Sequence, residues 1–172
     1  MLVLPLHDGH DRKGFDCGDD ELNRWFLQVA RQHKDKRVSS TFVVLADASS
    51  THVLGFYALN PAEVVNADLP AKLGKRLPLK VPVFRMGRLA SAKSHQGHGI
   101  GEFMLFDAID RVTRIAAEVG GVGLVVNAKP GAIDFNDTFA REVGTADATT
   151  KKLDAVIYLI KEVRPVGPTL VE

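Results

Sequence analysis

The hexapeptide Gln96-Gly97-His98-Gly99-Ile100-Gly101 has the composition of a phosphate-binding loop. Three glycines in six positions let the backbone approach a ligand closely, and the hexapeptide lies between an apolar strand-like run and a long helical pattern. A loop that leads into a helix presents unpaired N–H donors and the positive end of the helix dipole to an anion. The spacing differs from the dinucleotide-binding pattern G-x-G-x-x-G, and Gly101 is not followed by the Lys-Ser or Lys-Thr pair of a Walker loop. The sequence therefore predicts an anion site of another class.

Metal chemistry is not favoured by the spacing of the potential ligands. The six histidines form no H-E-x-x-H pattern, and Cys17 is the only cysteine in the sequence. We therefore expect no metal site. Asp16 and Cys17 precede the first predicted helix, and we expect them to fix its start; a reactive thiol is the alternative for Cys17.

The elements that must position the hexapeptide begin with a helix and a hairpin. Asp19 and Asp20 can cap a helix that runs to about Gln32 along one apolar stripe. Two β-rich runs over 41–46 and 53–59 enclose a polar turn and predict a hairpin. Residues 60–81 contain three prolines and several basic residues, which predicts an exposed loop with one short helix.

The second half of the chain predicts a strand, a helix and two further strands. A strand over 82–90 leads to the hexapeptide, and a helical period then ends near Gly120-Gly121. The remaining predicted elements are a strand over 122–126, a helix with Ala132, Phe135 and Phe139 on one face, a strand over 155–160 and a loose tail over about 164–172. This order predicts a mixed α/β sheet with helices covering its faces. In such a sheet a ligand is expected at the carboxyl ends of strands, which is where the hexapeptide lies.

Length and composition limit the class of protein. A chain of 172 residues that is 45% hydrophobic can bury one sizeable core, so we expect a single domain over residues 1–172. The net charge of +1 does not identify a partner, and a single cysteine fits a reducing cytoplasm. The apolar N-terminus is interrupted by Pro5 and lacks a basic region, and no run reaches the roughly 20 apolar residues of a membrane span. We expect a soluble cytoplasmic protein.

Four motifs occur together in this chain. Gln96, Gly99 and Gly101 fit the pattern Q/R-x-x-G-x-G/A. The other three are Gly87-Arg88-Leu89-Ala90, Gly55-Phe56-Tyr57-Ala58-Leu59, and an N-terminal H-D-R…F-x-C-G…L-x-x-W pattern formed by His10-Asp11-Arg12, Phe15-Asp16-Cys17-Gly18, Leu22 and Trp25. In this combination the chain resembles the acetyltransferase toxins of bacterial toxin–antitoxin pairs, a branch of the GNAT superfamily.

The resemblance implies a GNAT fold, a mixed and mostly antiparallel sheet that splays at the cofactor site, and acetyl-CoA as the cofactor. It implies that the main chain at Leu89 and Ala90 pairs with the pantetheine arm and that residues 96–101 hold the pyrophosphate, with Asn127 and Phe135 as further cofactor contacts. An extended arm of amides can add to a strand edge by backbone hydrogen bonds. The toxins of this branch acetylate the α-amine of an aminoacyl-tRNA and so block translation. Their antitoxins are ribbon-helix-helix proteins, and the toxins themselves are often homodimers.

One position departs from the family pattern. The branch carries A-x-x-F-Y-x-x-F-G-F, with the tyrosine as general acid, whereas here Phe135 is followed by Asn136 and the later G-F is absent. Asparagine donates a hydrogen bond but no proton, and proton transfer is typically worth ~10²–10⁴ in rate. A thiolate, with an ordinary pKa near ~8.5, can still depart unprotonated. Three functions therefore stay open: a toxin-type acetyltransferase, an acetyl-CoA-binding protein with little catalysis, and an N-acetyltransferase for a peptide or small amine.

Further candidate residues each have a structural alternative. The hydroxyl of Tyr57 could replace the missing acid or simply pack, and Tyr158 carries the same pair of interpretations. Arg88 is a candidate for substrate contact or for an ion pair, and His98 for phosphate contact or solvent. Two basic clusters could bind the tRNA backbone or form an ordinary solvated surface: Arg31, Lys34, Lys36 and Arg37 in the first, Lys72, Lys75, Arg76 and Lys80 in the second.

Overall fold

The chain folds into three helices and seven strands in the part that the structure, a computed structural model, describes: residues 1–69, 76–127, 149–150 and 155–159. The elements are β1 (Leu2–Pro5), α1 (Asp20–Gln28), α2 (Ala30–Asp35), β2 (Ser40–Leu45), β3 (Gly55–Val65), β4 (Lys80–Ser91), α3 (Ile100–Val119), β5 (Gly123–Asn127), β6 (Thr149–Thr150) and β7 (Ala155–Leu159). Short 3-10 turns cover Asn66–Asp68 and Lys93–His95.

The strands form a seven-stranded sheet in the order β1-β2-β3-β4-β5-β7-β6. The pairs β1–β2, β2–β3, β5–β7 and β6–β7 are antiparallel. The predicted mixed α/β class with a mostly antiparallel sheet is therefore confirmed. Contacts divide the chain into two compact units, one of Met1–Pro61 with Met86–Arg111 and one of Ala62–Arg85 with Val112–Glu172.

The first predicted helix is two helices rather than one. Asp19 caps α1 as expected, because its side chain accepts hydrogen bonds from the N–H groups of Glu21 and Leu22. The helix then ends at Gln28, and α2 begins after Val29, whose φ of −109° departs from the usual helical value of about −63°. The carbonyl of Leu27, near this break, accepts a hydrogen bond from the Arg12 guanidinium. Helix α2 continues beyond the predicted end at Gln32 and reaches Asp35.

The predicted hairpin is confirmed in the β2–β3 pair, where Val43 lies opposite Phe56 and Phe42 opposite Tyr57. Alternate residues of a strand face opposite sides of the sheet, and each side of this hairpin meets a helix. On one side Phe56 stacks on Phe26 of α1, with ring centroids 4.2 Å apart. On the other side Tyr57 contacts Asp107 of α3. Helices therefore cover both faces of this hairpin, as predicted.

Strand β3 is longer than predicted. The sequence placed residues 60–81 in an exposed loop, but β3 continues through Pro61 to Val65, and β4 already begins at Lys80. The extension is possible because β2 pairs with β3 only as far as Leu59, so Pro61 need not donate a hydrogen bond to β2. In the extended part of β3, the side chain of Val64 points inward. It packs with Val81, Val83 and Val125 in the core of the second unit.

The later predictions agree with the structure where it describes the chain. Strand β4, helix α3, strand β5 and strand β7 lie where they were expected, and α3 ends before Gly120, whose φ is +87°. Strands β1 and β6 were not predicted. Outside the described residues lie the predicted helix with Ala132, Phe135, Asn136 and Phe139, the cluster members Lys72 and Lys75, and the tail over 164–172.

The described residues provide neither a membrane-spanning helix nor a cluster of metal ligands. No helix there has the length and apolar character needed to cross a membrane. No group of three or more His, Cys, Asp or Glu side chains in the same part of the chain could hold a metal ion.

Candidate cofactor-binding site

The predicted phosphate loop connects the end of β4 to the start of α3, as the sequence requires. After β4 the N–H of Ala92 bonds to the carbonyl of Leu54, and the 3-10 turn then leads to Gln96. Gly97 and Gly99 have φ values of +78° and +74°, which favour glycine because a side chain would be strained there. A Cβ atom built on either glycine meets no atom within 4 Å. The backbone of the loop therefore has open space beside it where a ligand can approach.

The start of α3 supplies donors for an anion. The first intrahelical bond runs from the N–H of Phe103 to the carbonyl of Gly99 at 3.0 Å. The N–H groups of Ile100, Gly101 and Glu102 precede it and have no intrahelical acceptor. Together with the dipole of this 20-residue helix, they form a positive site of the kind that binds phosphate.

Gln96 is held by the N-terminal motif. Its side-chain Nε2 donates to the backbone carbonyl of Cys17 at 3.0 Å. The Cys17 N–H in turn bonds to the side chain of Asn23 in α1, so Asp16 and Cys17 do fix the start of the first helix. Burial raises the pKa of the Cys17 thiol, which favours the structural interpretation over a reactive thiol.

His98 turns back onto the loop rather than into the protein. Its Nδ1 lies 3.0 Å from the backbone carbonyl of Gln96, and the side chain is exposed. Because a carbonyl only accepts, Nδ1 must carry the proton in this arrangement. The Nε2 atom is left for solvent or for a ligand on the loop. The neighbouring His95 ring lies 6.3 Å from the His98 ring.

The end of β4 approaches β3 and α3 very closely. A Cβ atom on Gly55 would lie 3.0 Å from Ile100 Cγ2, 3.1 Å from the Ala90 carbonyl oxygen and 3.1 Å from Met104 Cε. The glycine of the G-F-Y-A-L motif is therefore required by packing. It brings the start of β3 against Ala90 and the first turn of α3, the elements that flank the candidate site. Leu89 is half-buried and Ala90 is buried in β4.

Arg88 makes contacts other than the predicted ion pair. Its guanidinium carbon lies 5.2 Å from the centroid of the Trp25 ring, and Nη1 donates to the carbonyl of Gly87 at 2.9 Å. No carboxylate forms an ion pair with it in the part of the chain that the structure describes. The predicted ion pair is replaced by a cation–π contact, because β4 places the side chain beside α1. Its Nε is buried and has no hydrogen-bond partner among the residues that the structure describes.

Tyr57 belongs to a polar network on α3. The side chain is fully buried, its hydroxyl donates to Asp107, and Asp107 also accepts from Arg111 Nε at 2.6 Å. Burial, the hydrogen bond to Asp107 and the charge of that carboxylate together raise the pKa of Tyr57. Phe42 stacks on the Tyr57 ring and lies beneath the Arg111 guanidinium. These contacts favour the packing interpretation of Tyr57.

This network was not predicted from the sequence. The only local signal is the spacing of Asp107 and Arg111, an acid and a base four residues apart on one helix. Tyr57 is 50 residues away in sequence, so its bond to Asp107 follows from the fold alone.

The first basic cluster is partly engaged within the protein. Arg31 pairs with Asp8 at 3.1 Å, and Lys34 Nζ donates to the carbonyl of Leu6 at 2.5 Å. Both side chains line a cavity of about 150 Å³. Lys36 and Arg37 are exposed, and no hydrogen bond or ion pair within the described residues engages their side chains. Of the four residues of this cluster, Lys36 and Arg37 are therefore the two whose side chains are available to a substrate.

The other predicted residues are only partly described. In the second cluster Arg76 is exposed and Lys80 pairs with Glu63 at 3.5 Å. Asn127 is the last residue of β5 and lies opposite Ala155. Phe135 and Asn136 lie outside the described residues, and for Tyr158 only the backbone is described, opposite Leu124.

Comparison with known proteins identifies the family. No protein-family model matches the chain. The chain is 32% identical over 123 residues to a tRNA-acetylating toxin of Mycobacterium tuberculosis, and the match covers 72% of each chain.

Two solved structures extend the likeness over almost the whole chain. The toxin AtaT complexed with acetyl-methionyl-tRNAfMet has a TM-score of 0.79 and 28% identity, covering 93% of this chain and 95% of that one. A tyrosine-to-phenylalanine mutant of AtaT, bound to the C-terminus of the antitoxin AtaR and to acetyl-CoA, has a TM-score of 0.71 and 26% identity, covering 93% of each chain. The chain therefore belongs to the acetyltransferase toxins of the GNAT superfamily, which confirms the family that the four motifs indicated.

Proposed function

We propose that this protein transfers the acetyl group of acetyl-CoA to the α-amine of an aminoacyl-tRNA and thereby blocks translation. The observation that carries the proposal is the open glycine loop at the start of α3, directly after β4, in a chain of the acetyltransferase toxin family. Acetyl-CoA supplies an acyl group that is already activated as a thioester.

The loop geometry supports the proposed cofactor-binding residues. The open space at Gly97 and Gly99 admits a pyrophosphate against the backbone, and the N–H groups of Ile100 and Gly101 are donors for its oxygens. His98 can add a donor through Nε2 when its ring is protonated. We propose that the main chain at Leu89 and Ala90 pairs with the amides of the pantetheine arm. Asn127 and Phe135 are proposed as further contacts to the cofactor.

Matched glycine variants test whether the loop binds the cofactor. Gly99 and Gly120 both have positive φ and open space, so an alanine at either position causes similar backbone strain, of the order of ~1 kcal/mol. Only Gly99 lies in the loop. We expect Gly99→Ala to raise the acetyl-CoA Kd about tenfold in calorimetry, whereas Gly120→Ala binds as the wild type does. Equal affinities for the two variants would contradict the assignment.

The acceptor is proposed from charge and from the relatives. Lys36 and Arg37 offer two cations at the end of α2 that no side chain in the described part of the chain engages, and phosphate contacts position a nucleic acid on a protein. A structurally similar toxin has been solved with acetyl-methionyl-tRNAfMet. The test is a transfer assay with labelled acetyl-CoA over a panel of charged tRNAs, with uncharged tRNA as the control. We expect label on at least one charged tRNA and none on the uncharged ones.

Asn136 motivates a second candidate function, an acetyl-CoA-binding protein with little catalysis. Without a proton donor at this position, the thiolate must leave unprotonated, and the remaining catalysis comes from positioning and backbone donors. We propose that transfer persists at a reduced rate. The variant Asn136→Tyr should raise the transfer rate with an unchanged acetyl-CoA Kd. No gain in rate would contradict this account of the position.

Two protein partners are proposed, an antitoxin and a second copy of this chain. A structurally similar toxin binds the C-terminus of an antitoxin, and we propose a ribbon-helix-helix antitoxin and a homodimer for this chain as well. Co-expression with the product of the adjacent reading frame, followed by sedimentation of the toxin alone and of the complex, tests both. A monomer that is not retained by the candidate antitoxin would contradict them.

A further inference from the structure

The segment Asp16–Gly18 links α1 to the proposed phosphate loop by hydrogen bonds on both of its sides. It is anchored at its base, because Phe15 is buried between the Phe26 and Phe56 rings at 5.1 and 5.3 Å. Cys17 is buried as well. The segment is therefore a fixed point of the first unit from which other groups can be positioned.

Asn23 of α1 holds this segment with both ends of its amide. Its Oδ1 accepts from the Cys17 N–H at 2.9 Å and from the Cys17 thiol at 3.1 Å. Its Nδ2 donates to Asp16 Oδ1 at 2.8 Å, and the Gly18 N–H donates to the same oxygen at 2.8 Å. The amide both donates and accepts in this arrangement, whereas an ionised carboxylate lacks the donor.

The opposite side of the segment faces the loop. The Lys93 N–H donates to the Asp16 carbonyl at 2.8 Å, and Gln96 Nε2 donates to the Cys17 carbonyl at 3.0 Å. The stem of Lys93 also passes close to Gly18, where a Cβ atom would lie 3.3 Å from Lys93 Cε. Two successive carbonyls thus fix the chain on the N-terminal side of Gly97.

The loop itself has few other restraints. Gly97 and Gly99 carry no side chains, and a Cβ atom at either would meet nothing within 4 Å. Its position therefore depends on the start of α3 at one end and on the Gln96 and Lys93 contacts at the other. A loop that is fixed before the ligand arrives binds more tightly, because less conformational entropy is lost on binding.

We propose that Gln96 and Asn23 are positioning residues that hold the loop in its phosphate-binding geometry through the Cys17 carbonyl. The Gln96 side chain then acts on the cofactor indirectly, and the F-D-C-G motif serves the cofactor site. The inference rests on the proposed function, since it assumes that the loop binds the pyrophosphate of acetyl-CoA.

The test compares a probe that contains phosphates with one that lacks them. Gln96→Met removes the donor at nearly constant size, and Gln96→Arg restores an N–H donor at the same position. Gln28→Met makes the same exchange at an exposed position of α1 and serves as the matched control. Each variant is titrated with CoA and with pantetheine, and its melting temperature is recorded.

The loss of one neutral hydrogen bond predicts an increase of about fivefold in the CoA Kd for Gln96→Met. The pantetheine Kd should be unchanged, the melting temperature should fall by no more than the roughly 2–4 °C that one hydrogen bond accounts for, and Gln96→Arg should recover most of the CoA affinity. A purely structural role would instead weaken both ligands equally, which would overturn the inference.

Failure of the inference and failure of the proposed function give different results. If the wild type binds CoA and Gln96→Met binds it equally well, the inference alone is overturned. If the wild type binds neither CoA nor acetyl-CoA, the proposed function fails and the inference fails with it. Asn23→Asp, which keeps the acceptor for Cys17 but loses the donor to Asp16, should weaken CoA in the same selective way. An Asn23→Asp variant with unchanged CoA affinity would remove Asn23 from the proposal.

Discussion

Adding one methyl group at Gly55 should destabilise the protein far more than adding it at Gly87. At Gly55 the new Cβ would lie 3.0 to 3.1 Å from three atoms, and one of these is the backbone oxygen of Ala90. The side chains of Ile100 and Met104 can shift slightly, but the Ala90 carbonyl is fixed in β4. Overpacking of a core in this way typically costs ~1–3 kcal/mol, and we expect about 2 kcal/mol for Gly55→Ala.

Gly87→Ala is the matched control, because it adds the same group to the neighbouring strand. There the nearest contact of a Cβ atom is Asn60 Oδ1 at 3.8 Å, an ordinary van der Waals distance. Neither glycine has a positive φ, so backbone strain does not enter the comparison. We expect Gly87→Ala to change the free energy of unfolding by less than about 0.5 kcal/mol.

The assay is urea unfolding followed by tryptophan fluorescence. Trp25 is the only tryptophan and is buried, with its ring stacked 5.9 Å from that of Phe56, the residue after Gly55. The same two variants should differ in acetyl-CoA affinity, because only Gly55→Ala presses on Ala90 in the proposed pantetheine-binding strand. Equal free energies of unfolding for the two variants would refute the packing argument.

Three further predictions concern Tyr57, His10 and the free cations. Tyr57→Phe removes one hydrogen bond to Asp107 and should lower the free energy of unfolding by about 1 kcal/mol without lowering the acetyl-transfer rate. A large loss of rate would instead assign the hydroxyl to catalysis. Burial, with the nearby positive groups, lowers the pKa of His10, so the unfolded chain takes up a proton first as the pH falls. The free energy of unfolding should therefore decrease below about pH 6.5, and a His10→Gln variant that keeps the full decrease would contradict this. Replacing both Lys36 and Arg37 by Gln should weaken tRNA binding and reduce the slope of log K against log salt by roughly 1 to 2, whereas an unchanged slope would exclude them from the interface.

The sequence predicted the parts of the fold that local patterns determine. Helix α3 and the β2–β3 hairpin follow from hydrophobic periods and turn residues, and Asp47 bonds within that turn to Ser49 as such turns require. The glycine loop was also predictable, since positive φ at Gly97 is a local property of the backbone.

Other features depend on contacts between distant parts of the chain. Strand β1 has only four residues and is stabilised by pairing with β2, about 40 positions later. The continuation of β3 beyond Pro61 depends on where β2 ends, which the sequence of β3 does not contain. Likewise the Gln96 side chain bonds to a carbonyl 79 residues away, so the sequence identified the residue but not what it contacts.

The most direct test of the central claim is the identity of the acetylated product. Wild type and Asn136→Tyr are incubated with labelled acetyl-CoA and each charged tRNA, and the aminoacyl-adenosine released by ribonuclease is analysed by mass spectrometry. The account predicts acetyl on the α-amine of the same aminoacyl-adenosine for both proteins, formed more slowly by the wild type. Acetyl-CoA binding without acetylated product from any charged tRNA, in either protein, would contradict it.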